Sequence, residues 1–122
     1  MSHSKKMLIV NSRGFDDERS SVAWLIASAF VASGMKVTMF LVSAGVDWAR
    51  KGAGKVAHLN PIDPSVGTMI NSFLEGGGRI VVCPPCAGVR GYDEDSLIAE
   101  ATIAGVPVML EEILAGSSTL SF

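Results

Sequence analysis

The sequence has little charge, few aromatic side chains and no long apolar run. Charged residues make up 18% of the 122 residues, the net charge is −2, and lysine and arginine form no cluster. This composition argues against a broad nucleic-acid-binding surface. No apolar run reaches the about 18 residues that span a bilayer, so no membrane segment is predicted. With 48% hydrophobic residues, the chain predicts a globular domain with a large core.

Cysteine is also scarce, with only two in the chain. The polar start, Met1 to Lys6, leads straight into an apolar run and lacks the separate apolar segment and cleavage site of a signal peptide. We therefore expect a cytoplasmic protein that forms one domain over residues 1–122. In a reducing compartment, two cysteines are typical of catalysis, redox chemistry or metal binding rather than of a structural disulfide.

Apolar runs alternate with segments of helical periodicity along the chain. Strands are predicted at 7–10, 36–42, 79–83 and 106–110, with a last, edge strand at 118–122. Helices are predicted at 20–32, at 66–74 and from Asp93 or Asp95 to residue 104, with shorter turns at 46–51 and 111–115. This alternation predicts an α/β fold, a three-layer α/β/α sandwich around a mostly parallel sheet of four or five strands.

In open parallel sheets, functional sites form at the carboxyl ends of the strands. The predicted strands end at or near Asn11, Ser43, Cys83 and Leu110, so these residues are expected to share one edge. Both cysteines lie there, because Cys86 follows Cys83 by three positions. The sequence therefore places its thiols where a site is expected.

The segment that follows the third predicted strand indicates sulfur chemistry. Arg90 supplies a permanent positive charge near Cys83 and Cys86, and a nearby cation favours the reactive thiolate. Gly91 is expected to adopt a backbone conformation that other residues resist. Tyr92 is expected either to line the site or to pack as an ordinary core residue.

Several functions remain open at this point. Cys83-Pro-Pro-Cys86 has the spacing of a dithiol oxidoreductase, although the glycines after it are expected to interrupt a long helix. A zinc site would need His3 and His58 from distant segments to complete the set of ligands. A persulfide carrier needs only one exposed thiolate. A non-enzymatic ligand-binding or assembly module on the same scaffold needs no reactive thiol.

Other residues at the predicted edge are candidates for binding. Asn11 and Arg13 follow the first strand and are possible pocket residues, the alternative being a solvated loop. Glu111 and Glu112 follow the predicted fourth strand. They are expected either to supply a general base or to start a helix. Trp48 is expected to cover the site or to pack at a subunit contact.

No cofactor is predicted. The loop after the first strand contains a single glycine, Gly14, so it is not a dinucleotide-binding fingerprint. The other glycine-rich segments, 52–54 and 76–78, do not connect a strand to a following helix as phosphate-binding loops do.

The run Cys83-Pro-Pro-Cys86-Ala-Gly-Val-Arg90-Gly91 resembles the signature loop of the DsrE/DsrF-like sulfur-relay family. The resemblance covers most of the chain and implies the same α/β fold. It implies that Cys83 accepts sulfur, and that Cys86 corresponds to the second cysteine of some members. It further implies sulfur-donor and sulfur-acceptor proteins as partners, and a homo-oligomer, either a trimer or a hexamer.

The sequence departs from the family pattern at Pro84 and Pro85, where small or polar residues are common. Two prolines stiffen the turn and remove two N–H donors that would otherwise face an anion. The departure leaves open whether Cys86 resolves a persulfide on Cys83 by forming a disulfide.

Overall fold

The computed structural model describes residues 5–55 and 62–122, which form a parallel sheet with helices on both faces. The strands are β1 (Lys6–Asn11), β2 (Lys36–Leu41), β3 (Arg79–Val82), β4 (Ala101–Ile103) and β5 (Ser118–Ser121). The α-helices are α1 (Arg19–Ala32), α2 (Val66–Glu75), α3 (Pro84–Val89) and α4 (Val106–Leu114). The strand order is β4-β3-β2-β1-β5 and every pair is parallel, which confirms the predicted fold class.

The two faces of the sheet build two cores of unequal size. On one face, α1 and α2 cover the larger core, where Trp24 of α1 meets Phe73 of α2 edge to face at 5.6 Å. On the other face, Leu8, Phe40 and Val81 form a small cluster that α4 covers. Successive residues of a strand point to opposite faces, so each buried strand supplies both cores.

The strand order creates a switch point between β3 and β4. From β1 to β4 the chain moves steadily across the sheet, and its connections pack against the larger core. After β4 it returns through α4 across the opposite face to reach β5. The chain therefore leaves β3 and β4 toward opposite faces, and the crevice that opens at such a point is where parallel sheets bind ligands.

Residues 106–110, predicted as a strand, begin α4 instead. Pro107 stands in the first turn of this helix, where its missing N–H has no partner to lose and its fixed φ suits the helix. Leu110 is therefore not at the end of a strand. Asn11, Ser43 and Cys83 do lie at the carboxyl ends of neighbouring strands, as expected, but Leu110 does not.

The expectation for Glu111 and Glu112 was also wrong, because both lie within α4. Glu112 accepts a hydrogen bond from the Thr38 hydroxyl at 3.2 Å and lies 3.5 Å from the Arg79 guanidinium. Thr38 and Arg79 lie in the first halves of their strands. Glu112 is thus bound near the amino edge of the sheet, opposite the thiols.

The helix expected from Asp93 or Asp95 to residue 104 is replaced by a short 3₁₀ turn, Glu94–Ser96, and by β4. Asp93 does act as a cap, through a capping box that it forms with Ser96. The chain then pairs with the segment after β2, where the Ile98 N–H donates to the Ala49 carbonyl at 2.9 Å. These tertiary hydrogen bonds hold the backbone extended where side-chain periodicity predicts a helix.

The remaining expectations agree with the structure where it describes them. Ser65 caps α2 by accepting a hydrogen bond from the Thr68 N–H at 3.2 Å, and Ser118–Ser121 forms the edge strand β5. The short turn expected at 46–51 is a 3₁₀ segment, Ser43–Ala49, which begins and ends earlier along the chain. The sequence predicts no regular element over 51–65, and residues 56–61 of that stretch lie outside the described residues. Across residues 5–55 and 62–122, no helix has the length and apolar character needed to cross a membrane.

Candidate thiol site at the carboxyl edge

Cys83 lies at the switch point between β3 and β4. It follows the last residue of β3, and its N–H donates to the Leu41 carbonyl at 3.0 Å. Its side chain is half-buried against the smaller core, in a group that includes Val42 of the neighbouring strand end and Ala104 from the end of β4. The topology alone therefore places a thiol at the position where ligands are expected.

Cys83 is also the N-cap of α3, a helix that the sequence did not predict. Pro84 and Pro85 occupy its first turn, where proline is favoured. One helical turn then brings Cys86 back over Cys83, and their Sγ atoms lie 3.0 Å apart. Both cysteines are free and half-buried.

The end of α3 explains the Arg-Gly-Tyr sequence that follows the thiols. Gly91 has a φ of 74°, the left-handed conformation expected of it. Its N–H donates to the Gly88 carbonyl, and the Tyr92 N–H donates to the Ala87 carbonyl, both at 3.0 Å. This pair of hydrogen bonds is a Schellman motif, and it limits the helix to six residues.

The surroundings of Cys83 favour the protonated thiol. Burial raises its pKa, and the Cys86 side chain raises it further, because a second sulfur beside it shares a proton and repels a second negative charge. The backbone N–H of Cys86 lowers the pKa by hydrogen bonding. Pro84 and Pro85 have no N–H to add. At neutral pH the thiolate that sulfur transfer needs is therefore the minor form of Cys83.

Arg90 is the C-cap residue of α3, the helix that Cys83 caps at its other end. Its Nη1 donates to the carbonyl oxygen of Cys86 at 3.0 Å, and its side chain is exposed. Within the described ranges it forms no ion pair with Asp93 or Glu94, the alternative partners that the sequence offered. This hydrogen bond ties the guanidinium to the backbone of the thiol helix, and the exposed side chain leaves other N–H groups to face solvent.

Tyr92 connects the end of α3 to the segment after β2. Its hydroxyl donates to the Asp47 carboxylate at 2.6 Å, and the Arg50 guanidinium lies 5.3 Å from the centre of its ring. Burial and the Asp47 carboxylate raise the pKa of Tyr92. Its hydroxyl is engaged within the chain, so the structure joins Tyr92 to the 3₁₀ segment rather than to the thiols.

Asn11 and Arg13 occupy the same edge at the end of β1. Asn11 is fully buried, and its Oδ1 accepts from the Arg13 N–H at 3.0 Å. The Arg13 guanidinium lies 3.5 Å from the Asp17 carboxylate. Trp48 is buried beneath this loop and donates from Nε1 to the Arg13 carbonyl at 3.0 Å, so it neither covers the thiols nor offers a surface for a subunit contact.

One residue of the edge carries a feature that sequence reasoning missed. Ser43 follows β2, between the ends of β1 and β3, and has a φ of 51°. A left-handed conformation is uncommon for serine and is often found at functional sites. Gly45 must stay small, because a Cβ there would collide with the Asn11 carbonyl oxygen. The small residues at 43–45 were the only sequence signal of this close approach.

In the part of the chain that the structure describes, no three cysteine, histidine, aspartate or glutamate side chains converge on a possible metal position. His3 and His58, the two histidines of the zinc hypothesis, lie outside the described residues.

Comparison with known sequences finds the DsrE/DsrF-like family, whose model matches residues 4–122. An uncharacterized protein of Methanocaldococcus jannaschii, MJ0760, is 31% identical over 107 residues, which cover 86% of this chain but 38% of that protein. The chain thus spans well under half of this relative. A second uncharacterized protein of the same organism, MJ0989, is 26% identical and is covered almost completely, at 97% of this chain and 99% of its own length.

Solved structures share the fold. The ychN protein from Escherichia coli superposes with a TM-score of 0.79 at 18% identity, covering 98% of this chain and all of that chain. A protein of unknown function from Methanobacterium thermoautotrophicum, MTH1491, gives a TM-score of 0.70 at 15% identity with the same coverage. At these identities the likeness concerns the fold alone.

Proposed function

The chain belongs to the DsrE/DsrF-like family, and from that premise we propose that it is a persulfide carrier that accepts sulfur on Cys83. Family membership suggests a role in sulfur relay in general terms. The observation that carries the finer proposal is the half-buried thiol of Cys83 at the switch point between β3 and β4. A half-buried nucleophile at the end of a strand is reachable by a partner while the sheet holds its backbone in place.

The reaction is a nucleophilic displacement at sulfur. The Cys83 thiolate attacks the outer sulfur of a persulfide on the donor. A bond forms between Cys83 Sγ and that sulfur as the donor's own sulfur–sulfur bond breaks, and the donor leaves as a thiolate with the electron pair. The step is redox-neutral, because one persulfide replaces another.

Arg90 attracts the sulfur donor in this proposal. Its hydrogen bond to the Cys86 carbonyl holds the guanidinium on the thiol helix, and its side chain is exposed. An exposed cation there attracts the persulfide anion of an incoming donor. Asn11, Arg13 and Tyr92 remain predicted binding residues.

The test is to incubate the reduced full-length protein with glutathione persulfide and to measure intact and peptide masses. We expect one added sulfur on the peptide that contains Cys83, and none in Cys83→Ser. Label found only on Cys86 would reverse the assignment. If neither thiol takes up sulfur, the carrier function fails, and the non-enzymatic binding or assembly module becomes the better account.

Variants of Arg90 separate its charge from its shape. Arg90→Met should slow loading by roughly tenfold, because it removes the cation that attracts an anionic donor, and Arg90→Lys should retain most of the rate. Both rates are measured with the same donor at neutral pH. Equal rates for wild type and Arg90→Met would remove Arg90 from the proposed mechanism.

A second function is favoured by the short distance between the sulfurs. Two thiols 3.0 Å apart at the start of a helix also suit a dithiol oxidoreductase. Reduction of insulin at a rate that depends on both cysteines, together with no uptake of sulfur from the persulfide, would support that function over the carrier.

We further propose that the carrier acts in the cytoplasm as a homo-oligomer, a trimer or hexamer, that docks with donor and acceptor proteins. The support for self-association is the outer surface of α4, where Val106, Leu110 and Leu114 are 68%, 54% and 77% exposed. A contiguous apolar surface of this kind is typical of an interface.

A further inference from the structure

We propose that Cys86 attacks the persulfide formed on Cys83 and releases its outer sulfur as sulfide, leaving a disulfide between the two cysteines. The proposal rests on the proposed function, because Cys83 must first be loaded. It assigns a second chemical step to the same site. Because that step releases sulfide, the reaction that follows is one that consumes sulfide, rather than only one that accepts sulfur from a persulfide.

The geometry of the two sulfurs carries the inference. Cys83 and Cys86 are the N-cap and third residues of α3, and their Sγ atoms already lie 3.0 Å apart. A disulfide bond is about 2.05 Å long, so bonding requires an approach of about 1 Å. Side-chain rotation within one turn of helix is enough for such a movement.

The helix also restrains the pair in this facing arrangement. Pro84 and Pro85 fix two backbone φ angles between the cysteines, and the Schellman motif at Gly91 and Tyr92 ends the helix shortly after Cys86. Cys86 packs against the larger core and Cys83 against the smaller one, so each side chain is supported from its own side. The prolines that depart from the family pattern therefore serve to hold one sulfur against the other.

This placement selects the inner sulfur of the persulfide as the point of attack. The inner sulfur is Cys83 Sγ itself, the atom 3.0 Å from Cys86 Sγ. Attack by the Cys86 thiolate forms the bond between the two Sγ atoms and breaks the bond from Cys83 Sγ to the outer sulfur. Hydrosulfide leaves with the electron pair and takes up a proton in water.

Release of sulfide oxidises the two cysteines, so repeated turnover needs a reductant. The two cysteines are oxidised to a disulfide, and the outer sulfur, formally zero-valent, is reduced to sulfide. A dithiol reductant, either a small molecule or a reducing protein with two cysteines, must then reduce the disulfide before the next cycle. Release of sulfide is therefore stoichiometric without such a reductant and catalytic with it.

The experiment loads the reduced full-length protein with glutathione persulfide, removes the excess by rapid desalting, and follows bound sulfur and free sulfide over time. Wild type is expected to release one sulfide per loaded chain, while its mass falls by one sulfur and by the two hydrogens lost on disulfide formation. Cys86→Ser is expected to keep the added sulfur at least about tenfold longer and to release no sulfide. Val89→Ser, at an exposed position of the same helix, is the matched control and should behave as wild type.

The possible failures are distinguishable. If Cys86→Ser and wild type load equally and hold their sulfur equally long, the resolving step is overturned and the carrier function stands. The resolving step is overturned in the same way if wild type loses sulfur without forming the disulfide. If wild type, Cys86→Ser and Cys86→Ala all fail to load while remaining folded, the carrier function itself fails.

Discussion

At the scale of single residues, the site depends on how two sulfur atoms share one environment. Burial and the second sulfur both raise the pKa of Cys83, while the Cys86 N–H opposes them. The thiolate is the nucleophile, so a raised pKa slows the first step, the loading of Cys83. Cys86, the candidate for the second step, therefore also slows the first. The sequence predicted both cysteines and Arg90 as neighbours, because all three fall within eight positions of one another. It did not predict the contact between the sulfurs, which requires the turn of helix that Pro84 and Pro85 begin.

The pH dependence of Cys83 alkylation tests this environment. The raised pKa means that the thiolate fraction, and with it the rate of reaction with iodoacetamide, rises only at a pH above that of an ordinary cysteine. Cys86→Ala removes the neighbouring sulfur but keeps the backbone N–H that stabilises the thiolate, so the profile of Cys83 should move to lower pH. Peptide mass spectrometry measures the rate at Cys83 in both proteins. An unmoved profile, or one displaced to higher pH, would contradict the proposed influence of Cys86.

At the scale of helices and strands, local patterns predicted the first two-thirds of the fold. The apolar runs of β1, β2 and β3 and the periodicity of α1 and α2 agree with the structure. The failures lie in the last third, where Val106–Leu110 combines β-branched residues with a proline that suits either an edge strand or a first helical turn. In the rest of the last third, tertiary hydrogen bonds such as that from Ile98 to Ala49 determine the backbone conformation. The local periodicity of the sequence does not show such bonds.

The end of α3 gives a prediction at this scale. Gly91→Ala places a side chain at a φ of 74° and should lower the free energy of unfolding by about 1–2 kcal/mol. Gly88→Ala is the matched control, because a Cβ at that exposed helical position meets no atom within 4 Å and alanine favours the helix. It should raise the free energy of unfolding by about 0.5–1 kcal/mol. Urea unfolding measures both, and a loss of stability in Gly88→Ala as large as that in Gly91→Ala would refute the conformational explanation.

At the scale of the whole molecule, the two faces of the sheet are covered unequally. Five strands at about 4.8 Å spacing are about 20 Å wide, whereas one helix covers about 10 Å. Two helices of 14 and 10 residues, α1 and α2, cover the first face, but α4, with nine residues, is the only α-helix among the described residues that packs on the second. No residue of α4 is buried, although its sequence is apolar on the side toward the sheet and on the side away from it. An exposed apolar surface on the outer side of a helix is typical of an interface, and a second copy of the chain would cover this one.

Charge placed on the outer side of α4 tests that arrangement. Leu110 and Leu114 are 54% and 77% exposed, so Leu110→Glu together with Leu114→Glu should leave the fold of a single chain intact and prevent its association. Light scattering after size-exclusion chromatography should give a multiple of 12.8 kDa for wild type and 12.8 kDa for the double variant. Val22→Glu, at a 39% exposed position of α1 on the other face, should remain associated. A wild-type protein of 12.8 kDa, or a double variant that stays assembled with unchanged circular dichroism, would show that the surface of α4 is not where the copies meet.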